Sequence, residues 1–106
     1  MANTFKNYLA ASVGTSATSV YTVGGGTTAT TIGLNIANRT GSAITVSAYI
    51  TSGGSDYYIV KDAPIPAGAA LSVLDGKIVL EAADIVKVVS DTASSADVVL
   101  SVLEQT

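Results

Sequence analysis

The chain has 106 residues, 48% of them hydrophobic and 12% charged, with a formal net charge of -3 and neither histidine nor cysteine. That length holds one domain, and the composition builds a core inside a surface made largely of Ser, Thr, Gly and Asn rather than a disordered chain. It excludes disulfides, thiol catalysis, an imidazole base and, in practice, a zinc site, while the scattered Lys6, Arg39, Lys61, Lys77 and Lys87 offer no footprint for nucleic acid.

Residues 1–10 lack the basic start and apolar run of a signal peptide, and no window reaches the roughly 18 apolar residues of a membrane span, so no membrane partner is expected. Residues 1–13 read as an N-terminal arm ahead of a β domain over 14–106. Phe5, Tyr8 and Leu9 have helical spacing there, but the segment is short and only weakly capped by Asn3 or Thr4. Such an arm either folds back on its own domain or docks on a neighbour, with Phe5, Tyr8 and Leu9 as anchors in the second case.

Residues 19–23 read as a strand and Gly24, Gly25 and Gly26 as the loop leaving it. Ile32, Leu34 and Ile36 then alternate with Gly33, Asn35 and Ala37, and Ile44, Val46, Ala48 and Ile50 alternate with Thr45, Ser47 and Tyr49. Period-two alternation puts each set on one face of a strand. The turn residues between them, 38–41, predict an antiparallel hairpin. Gly53 and Gly54 predict a turn into a third strand over 56–60, and Pro64 and Pro66 mark an edge loop or corner, since proline donates no hydrogen bond to a ladder.

Asp75 and Gly76, a strong hairpin dipeptide, predict that 70–74 pairs with 77–80. The runs 85–89 and 98–103 flank a turn-rich connection and are expected to pair as the last two strands. About eight short strands with no long helical pattern between them predict a single all-β antiparallel sandwich, jelly-roll-like.

Acids could act in pairs, as in a glycosidase, but Asp56, Asp62, Asp75, Glu81, Asp84, Asp91, Asp97 and Glu104 lie nearly all at predicted turns or strand ends. No serine has an activating base beside it except by way of lysine. The glycines at 24–26 lack the lysine and following helix of a phosphate cradle. Asp91 and Asp97 do not have the spacing of a recognised calcium loop. Asn38, Arg39 and Thr40 match a glycosylation acceptor, though a polar turn after a strand accounts for them better. The chain therefore reads as non-enzymatic and without a cofactor.

Interface residues are the remaining candidates. Aromatic side chains anchor interfaces or stack on sugars, which singles out Tyr49 and Tyr58; Tyr57 and Tyr58 must point to opposite faces. If Lys87 faces solvent, Ile85 and Val89 share its face and need a cover while Val86 and Val88 enter the core. Val98, Leu100 and Val102 oppose Val99, Ser101 and Leu103 in the same way. Apolar residues on both faces point to a subunit interface or to a second layer formed by the arm. A surface this weakly charged favours assembly, so a homo-oligomer is expected.

The segments Val-Tyr-Thr-Val at 20–23, Ala-Thr-Thr-Ile-Gly-Leu-Asn-Ile-Ala-Asn at 29–38, Ile-Thr-Val at 44–46, Ile-Pro-Ala-Gly at 65–68 and Leu-Glu-Ala-Ala-Asp-Ile-Val-Lys-Val at 80–88 occur in an order that resembles small virion structural proteins of tailed bacteriophages, including those of cyanobacteria. Gly24, Gly25 and Gly26 depart from it, because such sequences often carry a proline-containing turn there. The resemblance implies a structural part of a virion assembled in the host cytoplasm, with other virion proteins as partners. A head-decoration (cement) protein seated on capsid subunits and a neck, tail or baseplate component both fit. A host-glycan-binding module using Tyr49 or Tyr58 is the reading from a different class.

Overall fold

The computed structural model describes residues 3–73 and 77–106, and among these it contains strands and no helix. The strands are β1 (Asn3–Val13), β2 (Thr18–Thr22), β3 (Thr28–Asn38), β4 (Ile44–Ser52), β5 (Ser55–Ile65), β6 (Ala70–Ser72), β7 (Val79–Leu80), β8 (Ile85–Ser90) and β9 (Ala96–Gln105). They form two antiparallel sheets, one ordered β1-β9-β3-β6 with β7 also on β3, the other ordered β2-β8-β4-β5. The fold is the all-β sandwich the alternation predicts.

Most of the inward residues are the ones period two selects. Leu34 and Ile36 of β3 and Val98, Leu100 and Val102 of β9 face Val46 and Ala48 of β4 and Val86 and Val88 of β8, all buried in one cluster. Each such aliphatic side chain contributes at most about 1.5–3 kcal/mol of transfer free energy, which makes this layer the main source of stability.

The pairing differs from expectation at three connections. β3 and β4 are not a hairpin: they lie in opposite sheets, and residues 39–43 cross between them. The cause is Asn38, whose buried amide donates to the carbonyls of Ser42 at 2.7 Å, Ile65 at 3.1 Å and Pro66 at 3.1 Å, while its Oδ1 accepts from the Thr40 amide and hydroxyl. One side chain thus pins this crossing and the return crossing from β5 to β6. It also answers the glycosylation motif, because the acceptor nitrogen is spent inside the corner.

β6 and β7 do not pair with each other either. Both lie antiparallel along the same edge of β3, β6 opposite 35–37 and β7 opposite 29–30. The expected Asp75-Gly76 turn lies outside the described residues. β8 and β9 also sit in different sheets. Their link is closed by Ser95, whose amide donates to the Val13 carbonyl at 3.0 Å and whose hydroxyl donates to the Thr92 carbonyl at 2.7 Å.

The β4–β5 hairpin forms as predicted. Gly53 and Gly54, with φ of 60° and 84°, adopt the left-handed conformations that a two-residue hairpin loop requires. Pro64 is accommodated because β5 is an edge strand. Residues 3–13, despite their helical spacing, form β1, because pairing with β9 satisfies a ladder of backbone groups that a short isolated helix in water does not offset.

Candidate assembly surface

The outward face of the five-stranded sheet is the most apolar exposed surface described. Phe5 and Leu9 of β1 are 75% and 64% exposed, and Ile32, Val79 and Val99 are also exposed. The register collects them: Phe5 lies opposite Leu103, Leu9 opposite Val99, and Val79 opposite Thr30, itself opposite Leu103. Ile32 should point inward by simple alternation, but a bulge between Thr31 and Gly33 turns Thr31 into the core and Ile32 out. An open concavity of about 550 Å³ lies here, lined by Phe5, Lys6, Asn7, Ile32, Ser101 and Val102.

This face carries little charge among the described residues. Its polar members away from the Asp97 end include the uncharged Asn7, Ser101, Gln105, Thr30 and Asn35. Asp97, at one end, is paired with Arg39 at 3.2 Å. Lys6 turns toward Glu104, 3.7 Å away.

β1 is also a long free edge. It is the terminal strand of its sheet and, across eleven residues, has one charged side chain, Lys6. The edge strand of the other sheet, β5, carries Asp56, Lys61, Asp62 and Pro64 and two irregularities in its pairing with β4. Charges, prolines and bulges are the usual means of keeping an edge from pairing with another chain; β5 has all three, whereas β1 has one lysine and a bulge near its end.

A polar cluster ties β1 to the opposite sheet. Tyr8 and Tyr21 stack with ring centroids 4.1 Å apart, and their hydroxyls donate to Glu104 Oε2 at 2.6 and 2.5 Å. The two donors, first Tyr21 and then Tyr8, hold the Glu104 carboxyl below its ordinary range against the opposing effect of burial. Burial, and then Glu104, push both tyrosine hydroxyls up. The cluster is fully paired and works as a clasp across the open side of the sandwich.

The residues singled out from the sequence fall on three surfaces. Phe5 and Leu9 lie on the apolar face, while Tyr8 turns inward to the clasp. Ile85 and Val89 lie half-buried on the outer face of the four-stranded sheet beside Lys87, with Val86 and Val88 inward. Tyr49 is 8% exposed, covered by Tyr58 at a centroid distance of 4.9 Å, with the Lys61 ammonium 5.2 Å from the Tyr58 ring. Tyr57 is exposed on the opposite side from Tyr58. Ile32 and Val79 escaped notice, because no period-two rule anticipates a bulge and a two-residue strand has no period.

Several of the acids are engaged in local structure. Asp91 accepts from the Thr45 amide and the Thr92 hydroxyl, which lower its pKa; Asp97 accepts from the Ser12 amide and Arg39; Asp84 accepts from Ser52 and the Glu81 amide. The glycine loop at 24–26 closes on a Thr27 amide to Gly24 carbonyl bond and enters a strand, not a helix. Among the described residues no group of three or more acids stands placed to hold a metal.

No family model and no curated protein matches the chain. A solved chain from Bacillus endospore appendages, described as a novel family of disulfide-linked pili, matches with a TM-score of 0.56 over 98% of this chain and 88% of its own, at 13% identity. The likeness is one of fold. It nonetheless overturns the resemblance to phage virion proteins, whose supporting segments are strands and corners of a sandwich that an appendage protein shares. The head-decoration role, the neck, tail or baseplate alternative, virion partners and location in a virion fall with it. Of the two rings considered for a glycan platform, Tyr49 is buried beneath Tyr58, and Tyr58 is half-exposed.

Proposed function

We propose that this chain is a non-enzymatic structural subunit that polymerises with copies of itself into a surface fibre. The observation that carries the reading is the long, sparsely charged free edge of β1. An edge of this kind presents unpaired amides and carbonyls to another strand. The free edges of β1 and β2 lie on one flank, joined by the Tyr8–Tyr21 stack, and those of β5 and β6 end the two sheets at the other. Flank-to-flank addition is heterologous, and such contacts repeat into open filaments or rings rather than closing as a pair.

Two further observations support it. The sandwich is like that of a chain from pili, and among the described residues Asp56, Asp84, Asp91, Asp97 and Glu104 accept hydrogen bonds from local structure or the clasp. These 106 residues contain no cysteine, so they do not themselves supply the disulfide of the disulfide-linked pili. Within them, cohesion comes from strand pairing and apolar contact.

Hydrogen exchange on assembled and dispersed protein tests this. Alternate amides of β1 point to the free edge, exchange freely in the dispersed chain and become protected on assembly. Assembly that leaves these amides unprotected contradicts the edge as the growing surface.

A further inference from the structure

We infer that the outward face of the five-stranded sheet pairs with the same face of a second copy, with the Phe5 ring of each copy seated in the other's concavity beside Ile32. The inference goes beyond edge pairing, because it assigns a second, isologous interface that joins copies across their sheet faces.

Three observations carry it. Phe5 is the chain's single phenylalanine and, among the described residues, the most exposed large apolar side chain, standing at the lip of the concavity that Ile32 also lines. Gly33, beside Ile32, leaves open space where a side chain would stand, and Ser101 adds a small lining residue. A ring and a hollow next to each other on one surface become two ring-in-hollow contacts when that surface meets its own copy about a two-fold axis.

Charge permits the pairing. A face that meets itself sets like charges near one another unless it has none, and the strip from Phe5 to Val99 presents Asn7, Ser101, Thr30 and Asn35 between its apolar residues. Amides and hydroxyls pair with copies of themselves, since each has both donor and acceptor capacity.

Area permits it too. At a rise of about 3.3 Å per residue and a strand spacing of about 4.8 Å, ten residues on β1, β9 and β3 span roughly 33 by 14 Å, and the five residues of β6 and β7 add roughly 80 Å², which fits the molecular extents of 45 × 26 × 21 Å. Two such faces bury on the order of 1,100 Å² together, at the small end of specific interfaces. The expected product is a reversible pair, not a permanent one.

The full chain labelled with 4-fluorophenylalanine reports on Phe5 through one fluorine resonance. In a concentration series the resonance should move, and lose its sensitivity to exchanging H₂O for D₂O, in step with the sedimentation mass of a dimer. Ile32→Thr and Val99→Thr keep β-forming side chains and should each raise the dissociation constant at least tenfold, with an unchanged melting temperature. A fluorine that stays solvent-exposed in every associated form overturns the face-to-face pair and leaves edge growth standing. Burial of Phe5 in a dimer that grows no further supports this interface and overturns the fibre. A chain that remains monomeric throughout overturns both.

Discussion

The Tyr21 hydroxyl, on one sheet, donates a 2.5 Å hydrogen bond to Glu104 of the other, and Tyr8 donates to the same oxygen at 2.6 Å. Both donors favour the ionised carboxylate, so Glu104 is easier to ionise in the folded chain than in the unfolded one. A depressed carboxyl pKa contributes stability that is present above the unfolded value, about 4.3 for glutamate, and lost as pH falls through the folded value. The melting temperature should therefore fall as the pH drops below about 4, and Glu104→Gln should flatten that part of the profile. The tyrosines act at the other end: their raised pKa values contribute stability that is lost as pH climbs past about 10. Tyr21→Phe at neutral pH should cost about 1.5–3 kcal/mol, the range for a hydrogen bond to a charged group, read from urea denaturation.

Asn38 occupies the two crossings between sheets, with three carbonyl acceptors and two donors on one amide. Asn38→Ala leaves those groups without partners and should cost about 2–4 kcal/mol in chemical denaturation. Asn38→Asp should cost more, because a carboxylate meets the three carbonyl oxygens without a donor. Equal stability for Asp and the wild type contradicts the donor assignment.

Ile36 is fully buried in the centre of β3. Ile36→Asp puts an unpaired charge in the core at more than about 4 kcal/mol, and circular dichroism should show no folded protein. Val99→Asp, one strand away but outward, should fold normally.

These contrasts also mark what was legible in the residues. Alternation identified most of the strands, though not β1, and most of the core, because burial on one face of a pleat imposes period two whatever the strand pairs with. It carried no information on partners. Residues 38–41 look like a hairpin turn, but the buried Asn38 side chain and the backbone bonds of Asn38 to Ala69 and Arg39 to Ser95 hold them as a crossing between sheets. The segments 85–89 and 98–103 are consecutive and β-forming, yet Ser95 and the backbone of Val13 direct them into different sheets. The apolar outer residues of β9 were legible, and the sheet explains them differently: residues 3–13 extend the sheet as β1 instead of covering it. Phe5 and Leu9 were visible as exposed anchors, whereas Ile32 joined them through a bulge that no local pattern announces.

Polymerisation is tested most directly by electron microscopy of the purified protein across a range of concentrations, with and without reductant. Fibres are expected whose length rises with concentration and which reductant leaves intact, since the 106 residues hold no cysteine to reduce. Dispersed single particles of monomer size at every concentration would contradict it.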